Sequence, residues 1–182
     1  MTAPTAPAAG ALPHQGPAAG ITPLIIRVYG VPVGQGRVSF FGKGRAVHSN
    51  HKRLMPWRAA ITDAARHELA YAFPADAARI IDGQFVPILL GAIAAEITVT
   101  VPKPKSAPKR LTTWPITRTS HDIDHHARAV LDALTHAHVW KDDAQVVELT
   151  IRKVYPGEGI DALDQPGALI RIWPIPTEAV DR

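Results

Sequence analysis

Ser120-His121-Asp122-Ile123-Asp124-His125-His126-Ala127-Arg128-Ala129-Val130-Leu131-Asp132-Ala133-Leu134 is the run from which this 182-residue chain is best read. Its apolar residues Ile123, Ala127, Val130, Leu131 and Leu134 recur at three-and-four spacing, which predicts an amphipathic helix from about Asp124 to His136. Just before it, Asp122 and Asp124 stand two apart. In extended backbone such residues point to one side, so both carboxylates project together and Ile123 turns to the core. A helix start also favours negative charge. Paired carboxylates on a rigid turn suit a hard cation such as Mg²⁺ or Mn²⁺, and such an ion can neutralise a phosphate and activate water. Asp124, Arg128 and Asp132 follow i, i+4, i+8 spacing, which ordinary surface ion pairs also produce.

Downstream, Trp140-Lys141-Asp142-Asp143-Ala144-Gln145-Val146-Val147 offers a further carboxylate at the start of a strand expected over Val146–Val154. A helix of about 12 residues is roughly 18 Å long. Asp142 or Asp143 therefore approaches Asp124 only if the chain returns along the helix, or if a partner subunit supplies it. Both arrangements are compatible with the spacing.

Upstream, Leu24 to Tyr29 is a β-branched run that reads as a strand, and Val38 to His48 as a hairpin turning at Gly42-Lys43-Gly44. A first helix is expected from Pro56, with Trp57, Ile61, Ala64, Ala65, Leu69 and Tyr71 on its apolar side and Pro74 at its end. Asp82-Gly83 marks a turn, Ile88 to Val101 a long strand, and Ala168 to Trp173 the last strand. Pro102, Pro104, Pro108 and Pro115 make the intervening segment an exposed loop. The order β, hairpin, α, β, α, β, β predicts an α+β fold, a small mixed sheet packed with two main helices. Residues 1–22, rich in Ala and Pro, are expected to form a disordered tail, 23–176 the folded domain and 177–182 a short C-terminal tail.

Apolar residues make up 46% of the chain, enough for a core, and cysteine is absent, which excludes disulfides and Cys-type zinc sites. No run has the length of a membrane span and no signal-peptide pattern opens the chain, so a cytoplasmic protein is expected. The net charge of +4 is unevenly spread. No acidic residue precedes Asp63, whereas Arg27, Arg37, Lys43, Arg45, Lys52, Arg53 and Arg58 do. Lys103, Lys105, Lys109, Arg110 and Arg118 fill a second acid-free stretch, after which Asp122, Asp124, Asp132, Asp142, Asp143 and Glu148 fall close together. Basic surface around a concentrated acidic site suits an enzyme that grips a polyanion. Arg37, Lys43, Arg45, Lys52, Arg53, Lys103, Lys105, Lys109 and Arg110 are the candidate DNA contacts. Phe40, Phe41 and Trp114 flank basic residues and are candidate wedges between nucleic-acid bases, although core packing suits the two Phe better.

Asp122-x-Asp124-x-x-x-Arg128-x-x-x-Asp132-Ala133-Leu134, followed by Trp140-x-Asp142-Asp143-Ala144-Gln145-Val146-Val147, resembles the signature of the RusA family of Holliday junction resolvases. Val28-Tyr29-Gly30-Val31-Pro32 with Gln35-Gly36-Arg37 is similar to the start of phage-encoded members. The resemblance runs from about Leu24 to Trp173. It implies a homodimeric α+β nuclease that binds four-way junctions and nicks opposing strands in a Mg²⁺-dependent reaction, with Mn²⁺ a substitute. By position it makes Asp122, Asp124 and Asp143 the metal ligands and Arg128 a further catalytic residue. His125 stands where the family has Asn, and Arg128 where it has Lys. Arg keeps the charge and grips a phosphate, but it does not readily release a proton.

Two other functions fit parts of the pattern. The departures at His125 and Arg128 suit a non-catalytic protein that binds junctions. The histidines at 121, 125, 126, 136 and 138 suit a zinc hydrolase, although no H-E-x-x-H pattern is present.

Overall fold

The computed structural model describes residues 16–36, 38–41, 45–48, 50–73, 80–81, 84–85, 88–108 and 111–176. The elements along the chain are β1 (Leu24–Tyr29), β2 (Val38–Phe41), β3 (Arg45–His48), α1 (His51–Ala72), β4 (Ile80–Ile81), β5 (Gln84–Phe85), β6 (Ile93–Thr100), α2 (Ile123–His136), β7 (Val146–Val154) and β8 (Gly167–Pro174). The main sheet has the order β1-β8-β6-β7. β8 runs antiparallel to both β1 and β6, while β7 runs parallel to β6. This is the expected α+β fold with a small mixed sheet and two helices.

Every residue of β6 is buried, so both faces of this strand are covered. Ile93, Ile97 and Val99 belong to the main core together with Leu54, Trp57 and Ile61 of α1 and Val130 and Leu134 of α2. The other face carries Glu96, Thr98 and Thr100, also buried. Here Arg152 and Arg171 both pair with Glu96, and Arg171 grips Asp161 with two bonds of 2.6 and 2.7 Å. These bonds hold the Asp161 carboxyl below its ordinary range. Burial of Glu96 is therefore compensated by hydrogen-bonded opposite charge.

The two helices pack on one another, and α1 also lies against β1. Ala129 and Ala133 are fully buried and Thr62 Oγ1 of α1 donates to the Ala133 carbonyl at 3.0 Å. Small residues let the two backbones approach that closely. Trp140, fully buried just beyond α2, donates its indole N–H to Thr135 Oγ1 at 2.8 Å.

Several boundaries differ from the sequence reading. α1 begins at His51, with Asn50 as its cap residue, and Pro56 sits inside the helix. Its fixed φ is helical, so one lost backbone bond in the second turn is tolerated when Leu54 and Trp57 on either side are buried. Tyr71 is 84% exposed rather than on the apolar side, because it lies two residues, about 200° of helix rotation, from Leu69, while Phe73 returns to the core. β6 starts at Ile93, since Ile88 and Leu89 instead donate to the carbonyls of His138 and Val139. Ile123 is 41% exposed rather than turned to the core. It occupies the first turn of α2, beyond the elements that cover Ala127 and Val130. The hairpin forms as β2 and β3, whereas its turn residues 42–44 and the Asp82-Gly83 turn lie outside the described residues. Residues 1–15 and 177–182 also lie outside them.

Enlarging the helix contact tests this packing. Ala133→Leu is expected to lower stability by about 1–3 kcal/mol through overpacking, measured by urea unfolding.

Candidate active site

Parallel strands present their functional loops at their carboxyl ends. At that end of β6 and β7 the chain passes through a short 3₁₀ turn, Arg118–Ser120, and enters α2. Between them His121 adopts φ 57° and ψ 165°, a conformation that belongs to glycine. The left-handed step redirects the chain from the turn into extended backbone at Asp122. A strained residue persists only where its surroundings hold it, and three sets of contacts do so here.

From β7, Lys153 Nζ donates to the His121 carbonyl and to Ser120 Oγ. Burial pushes its pKa below the ordinary lysine value, and nearby Asp122 opposes the shift. From within α2, His126 Nε2 lies 2.7 Å from the Ser120 carbonyl. A carbonyl only accepts, so Nε2 carries the proton and the buried Nδ1, which has no hydrogen-bond partner, is bare. Burial holds the His126 pKa down at about 4. From the segment after β1, Gly34 packs so tightly that a Cβ there would lie 2.9 Å from His125 Cβ and 3.0 Å from His121 Cβ. Gln35 N donates to the His125 carbonyl, and Asn50 of α1 brackets the segment through Gly34 O and Gly36 N. Burial, with repulsion from Arg53 and His125, also lowers the His121 pKa.

Asp122 is the cap residue of α2, yet its side chain makes no capping bond. Its carboxylate stays exposed beside that of Asp124. Asp122, Asp124 and His125 each present a ligand atom, all within 4.8 Å of one another. Ligands about 2.1 Å from one ion in an octahedron lie about 3–4 Å apart, so small side-chain rotations would suffice to share a cation. Two oxygens and one imidazole fit Mg²⁺ less strictly than Mn²⁺ or Zn²⁺. Arg128 and His125 each lie 3.9 Å from Asp124 Oδ2.

Asp143 is not in this group. It opens a second 3₁₀ turn, Asp143–Gln145, at the start of β7, whereas Lys153 beside the candidate site is near the end of β7. At about 3.3 Å per strand residue, the two positions are more than roughly 20 Å apart. Asp142 serves a capping box with Gln145, accepting from Ala144 N at 2.8 Å. Asp143 is exposed; its carbonyl accepts from Val146 N, and its carboxylate has no hydrogen bond or ion pair among the described residues. Asp132 pairs with Arg58 of α1 at 3.1 Å rather than with Arg128. The histidines separate: only His125 joins the carboxylates, while His136 sits at the far end of α2 beside Arg58.

Among the candidate DNA contacts, Lys52 and Arg53 are exposed on the first turn of α1, and Lys105 is exposed after β6. Lys103 is ion-paired with Glu158 and also donates to the Leu111 carbonyl, so it ties down the loop that carries it. Arg53 and Lys103 share a hollow with Thr117, Thr119 and Ser120, directly before Asp122. Arg45 stands in β3, and Arg37, Lys43, Lys109 and Arg110 lie outside the described residues. Trp114 and Ile116 are 62% and 90% exposed on the same loop.

Residues 30–161, most of this fold and all of these residues, match the family described as Endodeoxyribonuclease RusA. The chain belongs to the RusA endodeoxyribonuclease family. It is also 30% identical over 146 residues to an uncharacterized protein, YqaN, of Bacillus subtilis (strain 168), with 72% of this chain and 87% of that protein covered. RusA-type nucleases are generally divalent-metal dependent, and Asp122, Asp124 and His125 are a group here that could hold such an ion. Among the described residues no helix is long and apolar enough to cross a membrane.

Lys153, Gly34 and Asn50 were not among the expected site residues, and His126 was expected only as one of the histidines of a zinc site. The signal for Lys153 is its phase: Leu149, Ile151 and Lys153 alternate on the helix-facing side of β7 beside Ala95, Ile97 and Val99. A lysine in an otherwise apolar phase marks a buried job.

His126 gives stability a defined pH dependence. Its folded pKa of about 4 lies below the ordinary 6.5, so the unfolded chain binds the extra proton first. Stability is then full above pH 6.5 and falls as pH drops towards 4, by about 3 kcal/mol at most. His126→Asn is expected to flatten this slope in urea unfolding followed across that range.

Proposed function

We propose that this RusA-family chain is a Mg²⁺-dependent, homodimeric endonuclease that nicks opposing strands of four-way junctions or other branched DNA in recombination and repair, acting in the cytoplasm of a bacterium or phage-infected cell. The observation that carries the reading is the pair of uncapped carboxylates, Asp122 and Asp124, held by a strained turn beside a basic hollow. A divalent cation at this pair would offset charge on the scissile phosphate and help activate a water nucleophile. Asp143 is the third ligand of this reading. Arg128, exposed one turn along from Asp124, grips phosphate oxygens. Lys52, Arg53 and Lys105, with the basic residues at 37, 43, 45, 109 and 110, position the duplex arms through their backbones. Lys103 shapes that surface. Lys153 and His126 hold the backbone from which Asp122 projects.

A binding-only reading draws on one observation: His125 leans into the carboxylate pair where the family has Asn. Nicking that appears only in the His125→Asn/Arg128→Lys double variant would favour it.

With a synthetic four-way junction and Mg²⁺, the parent is expected to nick. Asp122→Asn and Asp124→Asn are each expected to lose on the order of 10²-fold or more in rate while still binding the junction. A parent that cuts no branched DNA with Mg²⁺ or Mn²⁺ at low salt would end the nuclease reading. Separately, Arg53→Ala is expected to weaken junction binding and to reduce the slope of log K against log salt by about 1, read from a fluorescence-anisotropy titration.

A further inference from the structure

A second hollow adjoins the basic one before Asp122, and the two share Val31 and Arg53. Its volume is about 390 Å³, within the range of small-molecule sites, about 300–1,000 Å³. It lies between the chain leaving β1 and the first turns of α1. Gly30, at φ 140°, takes that chain out of the sheet in a conformation that disfavours any side chain. Val31 on one side and Pro56, Trp57 and Ala60 of α1 on the other make the walls apolar. Tyr29 and Val31 are each 50% exposed. Lys52 and Arg53 complete the lining, both exposed, and neither makes an ion pair or side-chain hydrogen bond among the described residues.

An apolar recess with an aromatic ring and two cations matches one chemical class, a planar apolar ring tied to an anion. An unstacked nucleotide has that form: aromatic side chains stack on its base and cations hold its phosphate. Peptide helices dock differently, through several apolar anchors along a groove. The neighbouring hollow gives the direction of approach. It includes Ser120, and the two residues from there to Asp122 span at most about 7 Å. Arg53 is also near enough to His121 to repel its protonated form. A strand held at Asp122 therefore passes Arg53 and reaches the recess within a short stretch.

We propose that this recess holds one unstacked base of the bound strand, with Tyr29 against the base and Arg53 and Lys52 on its phosphate. The proposal rests on the nuclease reading for the presence of DNA at Asp122, and goes beyond it by giving a place to a base rather than to the backbone. Extruding a base costs least where its stack is already interrupted. A branch point interrupts the stack and an intact duplex does not, so the recess adds affinity for branched over linear DNA.

Fluorescence-anisotropy titrations without divalent metal test this, with a four-way junction and a linear duplex of the same arm sequence. Tyr29→Ala, at an exposed position, is expected to weaken junction binding by about 5- to 150-fold and to leave duplex binding unchanged. Tyr29→Phe, which keeps the ring, is expected to bind both as the parent does. Ala60→Phe, which fills the recess from α1, is expected to repeat the selective loss. Iodouracil placed at successive positions around the branch point and irradiated is expected to attach to Tyr29.

Tyr29→Ala and Ala60→Phe chains that bind the junction like the parent, or that lose junction and duplex equally, would overturn the proposal. So would attachment only to residues outside the recess. The outcome is separable from cleavage. A parent that nicks while Tyr29→Ala keeps its junction affinity retains the nuclease reading and rejects the recess. A parent that shows the selective loss but nicks nothing with Mg²⁺ or Mn²⁺ retains the recess and rejects the nuclease reading.

Discussion

Parallel pairing of β6 with β7 is the constraint from which the rest follows. Adjacent parallel strands cannot be joined by a tight turn, so the chain must travel back along the sheet before the second strand can start. α2 makes that return. The carboxyl ends of both strands and the N-terminus of α2 are thereby brought to one place. Three elements distant in sequence can then act on a few residues: β7 supplies Lys153, α2 supplies Asp124 and His126, and the loop leaving β6 supplies Ser120 and His121. The same pairing sends Asp143 to the opposite end of the sheet.

The turn at His121 concentrates opposing effects. A non-glycine residue in that conformation costs on the order of 1–3 kcal/mol. Lys153 and His126 offset the cost by satisfying consecutive carbonyls, one from each side of the sheet–helix interface. Both donors are partly desolvated, and burial lowers both pKa values. The arrangement is therefore stiff in a particular sense. Losing either donor leaves a shielded carbonyl unsatisfied next to a strained dihedral, so the carboxylates after it would lose their common direction. An ordinary capping bond would have been the simpler way to start α2, but it would have tied up the Asp122 side chain. The backbone is held from outside instead, and the carboxylate remains open.

The local features of the fold are legible in the residues. The β-branched run before Val154 forms β7 with the bounds expected, and the alanine- and leucine-bearing repeat after Asp122 forms α2. Features that depend on register or on the extent of a neighbour are not. Nothing in Ile123 itself says that the core stops short of the first turn of α2, and Tyr71, an aromatic residue that suits either side, is seen to face solvent only in the structure. Pro56 reads as a helix start because that is its commonest tolerated place; only the burial of Leu54 before it shows that the helix is already under way. The Asp122/Asp124 pair follows from spacing, but their holders do not. His126 looks like one of five polar histidines until its burial is known, and Lys153 reaches Ser120 only because β7 pairs with β6 in one register. Asp142 and Asp143 are interchangeable by spacing, and the capping box separates them.

His125 and Arg128 can now be weighed by geometry. Both approach the same atom, Asp124 Oδ2, at 3.9 Å, and neither has a close bond to it. That leaves Asp124 Oδ2 between an imidazole and a guanidinium, with Asp122 and His125 also within reach of one another. An amide at 125 could only orient a carboxylate by hydrogen bonding. An imidazole can also offer a nitrogen lone pair to a cation, and nitrogen donors favour Mn²⁺ or Zn²⁺ over Mg²⁺. Arg128, always charged, competes with any cation for Asp124 and then releases it if a phosphate draws the guanidinium away. The two substitutions thus act on one carboxylate in compensating directions. Under the nuclease reading, His125 would add affinity for a metal and Arg128 would subtract from it until a phosphate drew the guanidinium away.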